Sequence, residues 1–307
     1  MRPPFDFSGV IPILATPFLD NEALDLESLH RLIRFNVEIG VDGVTLLGLL
    51  GESNRLTDAE RESLIRAAVT SAAGAPVIVG TSHTGTEATI ALSQQAAALG
   101  ATAVMITPSQ QPVPNDKAVF DYYLRIAAKT ALPIVLQDHP AISQVHMPAD
   151  LILRLVREIP AIACIKAEAV PSPQKIAALK KGMEGGRSVA VLTGLGGLYG
   201  IFDLERGSDG FNTGFAFPEV LIAILRAFRA GRHDQALGLY TRFLPLIVFE
   251  QQPGLAIRKE ILRLRGLIAG NRVRHPGATI DAATGEQVRR LLESALPGTD
   301  LKQPLRL

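Results

Sequence analysis

Short apolar, β-branched runs alternate along this chain with longer segments in which apolar residues recur every three to four positions. The runs occupy residues 9–15, 43–47, 77–79, 103–106, 134–136, 162–165, 189–193 and 210–212. Helical patterns cover 26–39, 58–73, 86–99, 117–130, 148–158, 172–179, 197–206 and 218–230. Strands buried on both faces read as continuous apolar runs, and their alternation with helices is the sequence form of right-handed βαβ units. Eight strands with eight crossovers predict an α/β fold closed into a (β/α)8 barrel, with a doubly wound open sheet as the alternative that pattern alone leaves.

Local signals support the helix starts. Thr57 and Glu60 have the spacing of a capping box, and Pro148 suits the first turn of the helix carrying Leu151, Ile152 and Leu155. After the eighth unit come helical stretches at 233–251, 255–268 and 284–296 with no further strand-like run. The expected organisation is therefore a barrel with the active site over 1–230 and a C-terminal helical extension over 231–307, whose tail, 297–307, is expected to fray or to pack on a neighbour.

Composition narrows the class of partner. With 31 basic and 30 acidic residues interspersed, the net charge is +1, and the chain carries no electrostatic footprint for nucleic acid or an anionic membrane. A small-molecule partner fits better. The single cysteine, Cys164, excludes an intramolecular disulfide and sits in an apolar run, so it reads as a buried structural thiol. The N-terminus has no basic segment leading into an apolar core, and no run approaches the roughly 18 apolar residues of a membrane span, so the expectation is a soluble, cytoplasmic protein.

In a barrel of this kind chemistry sits where strands run into their following loops, so the polar strand ends are the candidates. They are Gly48-Leu49-Leu50-Gly51-Glu52-Ser53, Gly80-Thr81-Ser82-His83, Gln137-Asp138-His139-Pro140 and Lys166-Ala167-Glu168. Lys166 follows Ala-Cys-Ile without a break, and a lysine ending a buried strand is costly unless paired or neutral. Desolvation lowers an amine's pKa, and a neutral amine attacks a ketone carbonyl. On composition alone a lysine that snorkels or merely ends the strand is the commoner reading.

The G-x-x-G-E-S loop, the L-P-I-V-L-x-x-x-P fifth strand and the C-I-K sixth strand occur in order, and with them nearly the whole chain resembles the dihydrodipicolinate synthase / N-acetylneuraminate lyase family. The resemblance implies a (β/α)8 barrel with a helical C-terminal subdomain, usually a homotetramer. It also implies Schiff-base formation by the sixth-strand lysine, here Lys166, and no cofactor.

Departures from the family pattern bear on the reaction. Leu49-Leu50 replaces the threonine pair after strand two, leaving backbone N–H groups of Gly48, Leu49 and Leu50 as a candidate nest for the substrate carboxylate, against a purely structural turn. Gln137 replaces the proton-relaying tyrosine, and an amide is neither a general acid nor a general base. Ser109-Gln110-Gln111 stands where synthases place aromatic residues, and Ile142 aligns with their arginine. These losses argue against the lysine-biosynthetic synthase reaction.

Side chains two apart on an extended segment share a side, so Glu168 joins Lys166 in the barrel interior if the strand runs that far. A carboxylate among apolar neighbours is expected to carry a raised pKa and to move protons, against the reading that it only orients a loop. Gln-Asp at strand five with Lys-x-Glu at strand six looks like the branch of 2-keto-3-deoxy sugar-acid dehydratases, such as the L-2-keto-3-deoxyarabonate enzyme.

Gln137, Asp138, Thr193 and Gly194 are expected to line the substrate pocket, while Glu52 and Ser53 either reach its edge or cap the turn. The Gly194-Leu-Gly196-Gly197-Leu-Tyr199-Gly200 run misses the third glycine of a dinucleotide loop, which falls on Tyr199. His83, Asp138 and His139 lack short ligand spacing, so loop or substrate hydrogen bonding is expected of them and no metal. The reading is a Schiff-base-forming dehydratase or retro-aldolase of 2-oxo acids derived from sugars. A barrel that binds a 2-oxo acid or regulates without turnover is the alternative class.

Overall fold

The structure is a computed structural model that describes residues 5–110, 115–252 and 254–307. Eight parallel strands lie in the order β1-β8-β7-β6-β5-β4-β3-β2. They are β1 (Gly9–Val10), β2 (Val44–Leu46), β3 (Val77–Gly80), β4 (Ala103–Ile106), β5 (Ile134–Asp138), β6 (Ile162–Ala167), β7 (Ala190–Thr193) and β8 (Gly210–Phe211). An Ile13–Thr45 bridge closes the two ends, with Leu14 N–H donating to Thr45 O at 2.9 Å and Thr45 N–H to Pro12 O at 2.8 Å. The predicted (β/α)8 barrel is the fold.

The first strand is shorter than the run 9–15 because Pro12 has no N–H to give. On the β2 side Val10 N–H is taken by the Asp42 carboxylate at 2.8 Å, and the next β1 N–H to donate to β2 is that of Leu14, although Val10 O and Pro12 O accept from Asp42 and Thr45 N–H. Toward β8 the pairing holds, through Ile11 N–H to Phe211 O and Ile13 N–H to Thr213 O.

The crossover helices are α1 (Leu26–Glu38), α2 (Asp58–Ser71), α3 (Thr86–Ala98), α4 (Asp116–Ala127), a single turn α5 (Pro140–Ser143), α6 (Ala149–Glu158), α7 (Ser172–Met183), α8 (Gly200–Glu205) and α9 (Pro218–Arg229). Thr57 and Glu60 form the reciprocal capping box. Pro148 is the N-cap of α6 rather than a residue of its first turn. The helix expected from 197 starts at Gly200, because Leu195, Gly196 and Gly197 take left-handed φ of 49°, 69° and 82° and coil into a separate 3-10 turn.

Two cores result from strand alternation. Outward residues pack under the helices, whereas Phe7, Ile11, Ile13, Ile78, Met105, Val135, Cys164 and Leu192 fill the barrel interior as their own cluster. Burial raises the Cys164 thiol far above its ordinary pKa, as expected of a structural cysteine.

Beyond the barrel lie α10 (His233–Gln251), α11 (Leu255–Leu264) and α12 (Ala282–Ala295). Buried ion pairs tie them back: Lys259 to Glu52, Arg265 to Glu219, and Arg258 to Glu250, whose carboxylate also accepts from Ala216 N–H. The tail is anchored at two leucines. Leu301 and Leu305 pack on the barrel's own core, and Leu305 N–H donates to Glu219 Oε1 at 3.3 Å.

Arg274 fastens the segment before α12 to α2 by a forked contact with Glu60, at 2.7 and 2.8 Å, with its guanidinium over the Phe18 ring. Those hydrogen bonds hold the Glu60 carboxyl down at about 2, against 4.5 ordinarily. A carboxyl whose folded pKa is depressed adds stability above its ordinary value, and that stability is lost as pH falls through the folded value. Melting temperature should therefore drop between pH 4.5 and 2 more steeply for wild type than for Glu60→Gln, which keeps the cap but cannot ionise. Parallel curves would show that Arg274 contributes nothing through this pair.

Candidate active site

The site begins with parity on β5 and β6. Gln137 pairs in register with Lys166, and Lys166 with Leu192 of β7, an interior residue. Cys164 points inward, so Lys166 does also, two residues nearer the strand's C-terminal end. The ladder runs one step past β6, because Glu168 N–H donates to Asp138 O at 3.0 Å. That step carries the alternation to Glu168, as the sequence required.

Lys166 and Glu168, only 5% and 6% exposed, meet with Nζ 3.1 Å from Oε2. Gln137 Nε2 donates to the same oxygen at 2.7 Å, and Leu195 N–H donates to Oε1 at 3.2 Å. Behind Gln137 stands Thr107, whose hydroxyl donates to Gln137 Oε1 at 2.8 Å. Burial by itself pushes the Glu168 carboxyl up, but the Lys166 charge, then His139 and the donors from Gln137 and Leu195, outweigh it and leave the pKa lowered. The expectation of a raised value is thus corrected: apolar neighbours suggested desolvation, whereas the carboxylate has a cation and two donors.

Gly194 is what makes this placement possible. A Cβ there would lie 2.1 Å from Glu168 Cγ, so the carboxylate occupies the volume that any other residue would fill. The left-handed Leu195 that follows aims its N–H back at Oε1.

Two pocket residues expected from the sequence face elsewhere. Asp138 neighbours the inward Gln137, so it points through the barrel wall, fully buried, to Lys175 of α7 at 2.5 Å. Burial raises its carboxyl pKa despite that lysine. Thr193 neighbours the inward Leu192 and turns its hydroxyl to Ser208 Oγ at 2.9 Å. Both are corrected to wall residues. His83 is exposed and caps its own turn, with Nδ1 accepting from Gly85 N–H at 3.0 Å. His139 stays at the site: Glu168 and Lys166 both act on its charge, burial lowers its pKa, and its buried Nδ1 has no partner among the described residues.

After β2, Gly48 leads into a 3-10 turn, Leu49–Gly51, entered through a left-handed Leu47 and left through a left-handed Glu52. The turn closes with Gly51 N–H to Gly48 O and Glu52 N–H to Leu49 O, so the N–H groups of Leu49 and Leu50 fall outside its own hydrogen bonds. Leu50 packs on the interior cluster, and Leu49 is exposed. Glu52 is buried against Lys259, Arg55 and the Arg274 N–H, which favours the structural reading for it, and Ser53 opens the next 3-10 turn. Ile142 is exposed beyond β5, and Gln111 lies outside the described residues.

Thr107, Thr45 and Asn212 escaped the sequence reading. Asn212 Nδ2 donates to Ile11 O at 2.8 Å and to Thr45 Oγ1 at 3.0 Å, a polar tie across β1 inside the barrel. Counting alternation from Lys166 around the sheet would have placed all three inward.

A model of the dihydrodipicolinate synthetase family matches residues 6–295. L-2-keto-3-deoxyarabonate dehydratase from Azospirillum brasilense is 36% identical over 274 residues, 87% of this chain and 88% of that protein. The crystal structure of dihydrodipicolinate synthase from Rhodopseudomonas palustris superposes with a TM-score of 0.90 at 34% identity, covering 96% of this chain and 99% of the other. That of YagE, a prophage protein from E. coli K12 in complex with pyruvate, gives 0.87 at 27% identity, covering 94% and 98%. With the family model spanning the barrel and the helices after it, the chain belongs to the dihydrodipicolinate synthetase family.

Proposed function

We propose that this protein is a Schiff-base-forming lyase that dehydrates a 2-keto-3-deoxy sugar acid, with Lys166 as nucleophile and Glu168 as the group that moves protons. The observation that carries the reading is the buried Lys166–Glu168 contact at 3.1 Å, with Gln137 where the family has a tyrosine. A relative named a keto-deoxy-acid dehydratase and one solved with pyruvate support the 2-oxo acid class.

In this reaction Glu168 takes a proton from the Lys166 ammonium and the freed amine adds to the C2 carbonyl. Return of that proton lets the carbonyl oxygen leave as water, giving an iminium. The iminium draws on the C3–H bond, Glu168 removes the proton, and the enamine expels the C4 hydroxyl, which leaves as water with the proton that Glu168 returns. Hydrolysis frees the product. The amides of Leu49 and Leu50 receive the substrate carboxylate. His139 Nδ1, buried and without a partner among the described residues, takes a hydroxyl of the sugar chain.

Borohydride added with pyruvate should trap a covalent adduct on Lys166, located by peptide mass spectrometry. A folded protein that yields no adduct with pyruvate or larger 2-oxo acids is not an imine-forming enzyme, and a barrel that binds without turnover then becomes the better account.

Glu168→Gln should still be trapped while kcat on the dehydrated substrate falls by roughly 10² to 10⁴, the usual worth of a general acid–base group. Near-wild-type turnover would move proton transfer to His139 or the substrate carboxylate. With pyruvate and aspartate semialdehyde, condensation should be negligible, because Gln137 cannot relay the protons. A kcat of about 10 s⁻¹, a typical enzyme value, would restore the synthase reading.

A further inference from the structure

Gln137 is buried between two oxygens, Glu168 Oε2 at 2.7 Å and Thr107 Oγ1 at 2.8 Å. Its amide has a donor end and an acceptor end, so its direction depends on what each neighbour offers. An ionised Glu168 can only accept. It requires the NH2 end, and Thr107 then donates to the amide oxygen, as observed. A protonated Glu168 carries an O–H on Oε2, since Oε1 is held as an acceptor by Leu195 N–H.

That O–H can leave the amide unmoved only by turning to Lys166 Nζ, 3.1 Å from Oε2, as a neutral amine; beside an ammonium, an iminium or a side chain at 166 without an acceptor it would face the Gln137 NH2, two donors in contact. Rotation by half a turn about the last side-chain torsion, which is broad and two-fold for an amide, presents the oxygen to Glu168 and the NH2 to Thr107. Thr107 accepts as readily as it donates, so every polar group in the chain keeps a partner. Leucine or valine at 107 would serve neither state.

We infer that Thr107 and Gln137 form a two-position amide switch that keeps Glu168 hydrogen-bonded in both its ionised and its protonated form. The inference rests on the proposed role of Glu168 in proton transfer. Thr107 is here a positioning residue; it acts on Glu168 only through Gln137. The titratable groups facing Glu168 are Lys166 from β6 and His139 from the end of β5, with Asp138 behind the β5 wall.

Neutron diffraction reads the switch without any substrate. Lys166→Met removes the first of the influences that lower the Glu168 carboxyl against its burial, so its titration should move up in pH. In deuterated Lys166→Met crystals above and below that titration, the Gln137 deuterons should lie toward Glu168 when it is ionised and toward Thr107 when Oε2 carries a deuteron. Deuterons on one side in both maps, or a Glu168 that never takes a proton, would overturn the inference.

In the otherwise unchanged enzyme, Thr107→Val should lower kcat about tenfold with little change in KM and with Lys166 still trapped by borohydride, while Thr107→Ser stays close to wild type. Equal kcat for Val and Ser at 107 would also overturn it. Absence of trapping in wild type, by contrast, strikes at the Schiff-base reading itself.

Discussion

The site depends on one contact, the ion pair between Lys166 and Glu168 inside a barrel otherwise filled by side chains such as Met105, Val135, Cys164 and Leu192. Two charges taken from water into such a place lose several kcal/mol of hydration each, and mutual attraction offsets this only when the remaining lone pairs and protons are also satisfied. The surrounding residues meet that condition. Gln137 and the Leu195 N–H occupy the carboxylate, Thr107 occupies Gln137, and Gly194 clears the space in which the carboxylate stands. Removing one partner of such a pair typically costs about 3–5 kcal/mol, so the arrangement tolerates substitution poorly even where the fold survives.

The same demand reaches into the C-terminal helices. The loop after β2 is held in left-handed conformations at Leu47 and Glu52, which non-glycine residues adopt only when neighbours enforce them. Glu52 is enforced by Lys259 of α11, by Arg55 and by the Arg274 backbone, all reaching one buried carboxylate. Burial draws Lys259 down to about 8, while the Glu52 charge opposes that fall. The helices after the barrel thus hold the turn whose Leu49 and Leu50 amides lie outside its own hydrogen bonds.

How much of this was legible in the chain turned on parity. The eight runs gave the strands, and the step of two from Lys166 to Glu168 gave their common side. Asp138 and Thr193 were misplaced because a polar residue at a strand end was taken as a pocket residue without asking its phase, although Gln137 and Leu192 next to them already pointed inward. Glu52 was undecidable, since its partner Lys259 lies 207 residues away and no local pattern links them. Gly194 is the subtler case: its glycine is legible, but the need for it appears only when Glu168 is seen in its volume. The lowered Glu168 pKa was missed for a related reason, because desolvation is visible in an apolar sequence and converging donors are not.

A lowered pKa at rest runs against a residue asked both to take and to give protons, and the causes of the lowering resolve the conflict. Burial pushes the Glu168 carboxyl up, and the nearby nitrogen's positive charge is the first influence to pull it back. In the proposed reaction that charge is not constant. It is present on the ammonium and on the iminium, when Glu168 must be a base, and absent from the enamine, when Glu168 must hold a proton until the hydroxyl leaves. Each change of charge on Lys166 therefore moves the carboxyl in the direction the next step needs, without a second ionisable group such as the family's tyrosine. Gln137 suits this cycle better than a fixed donor would, since an amide has a partner for the carboxylate and for the acid alike.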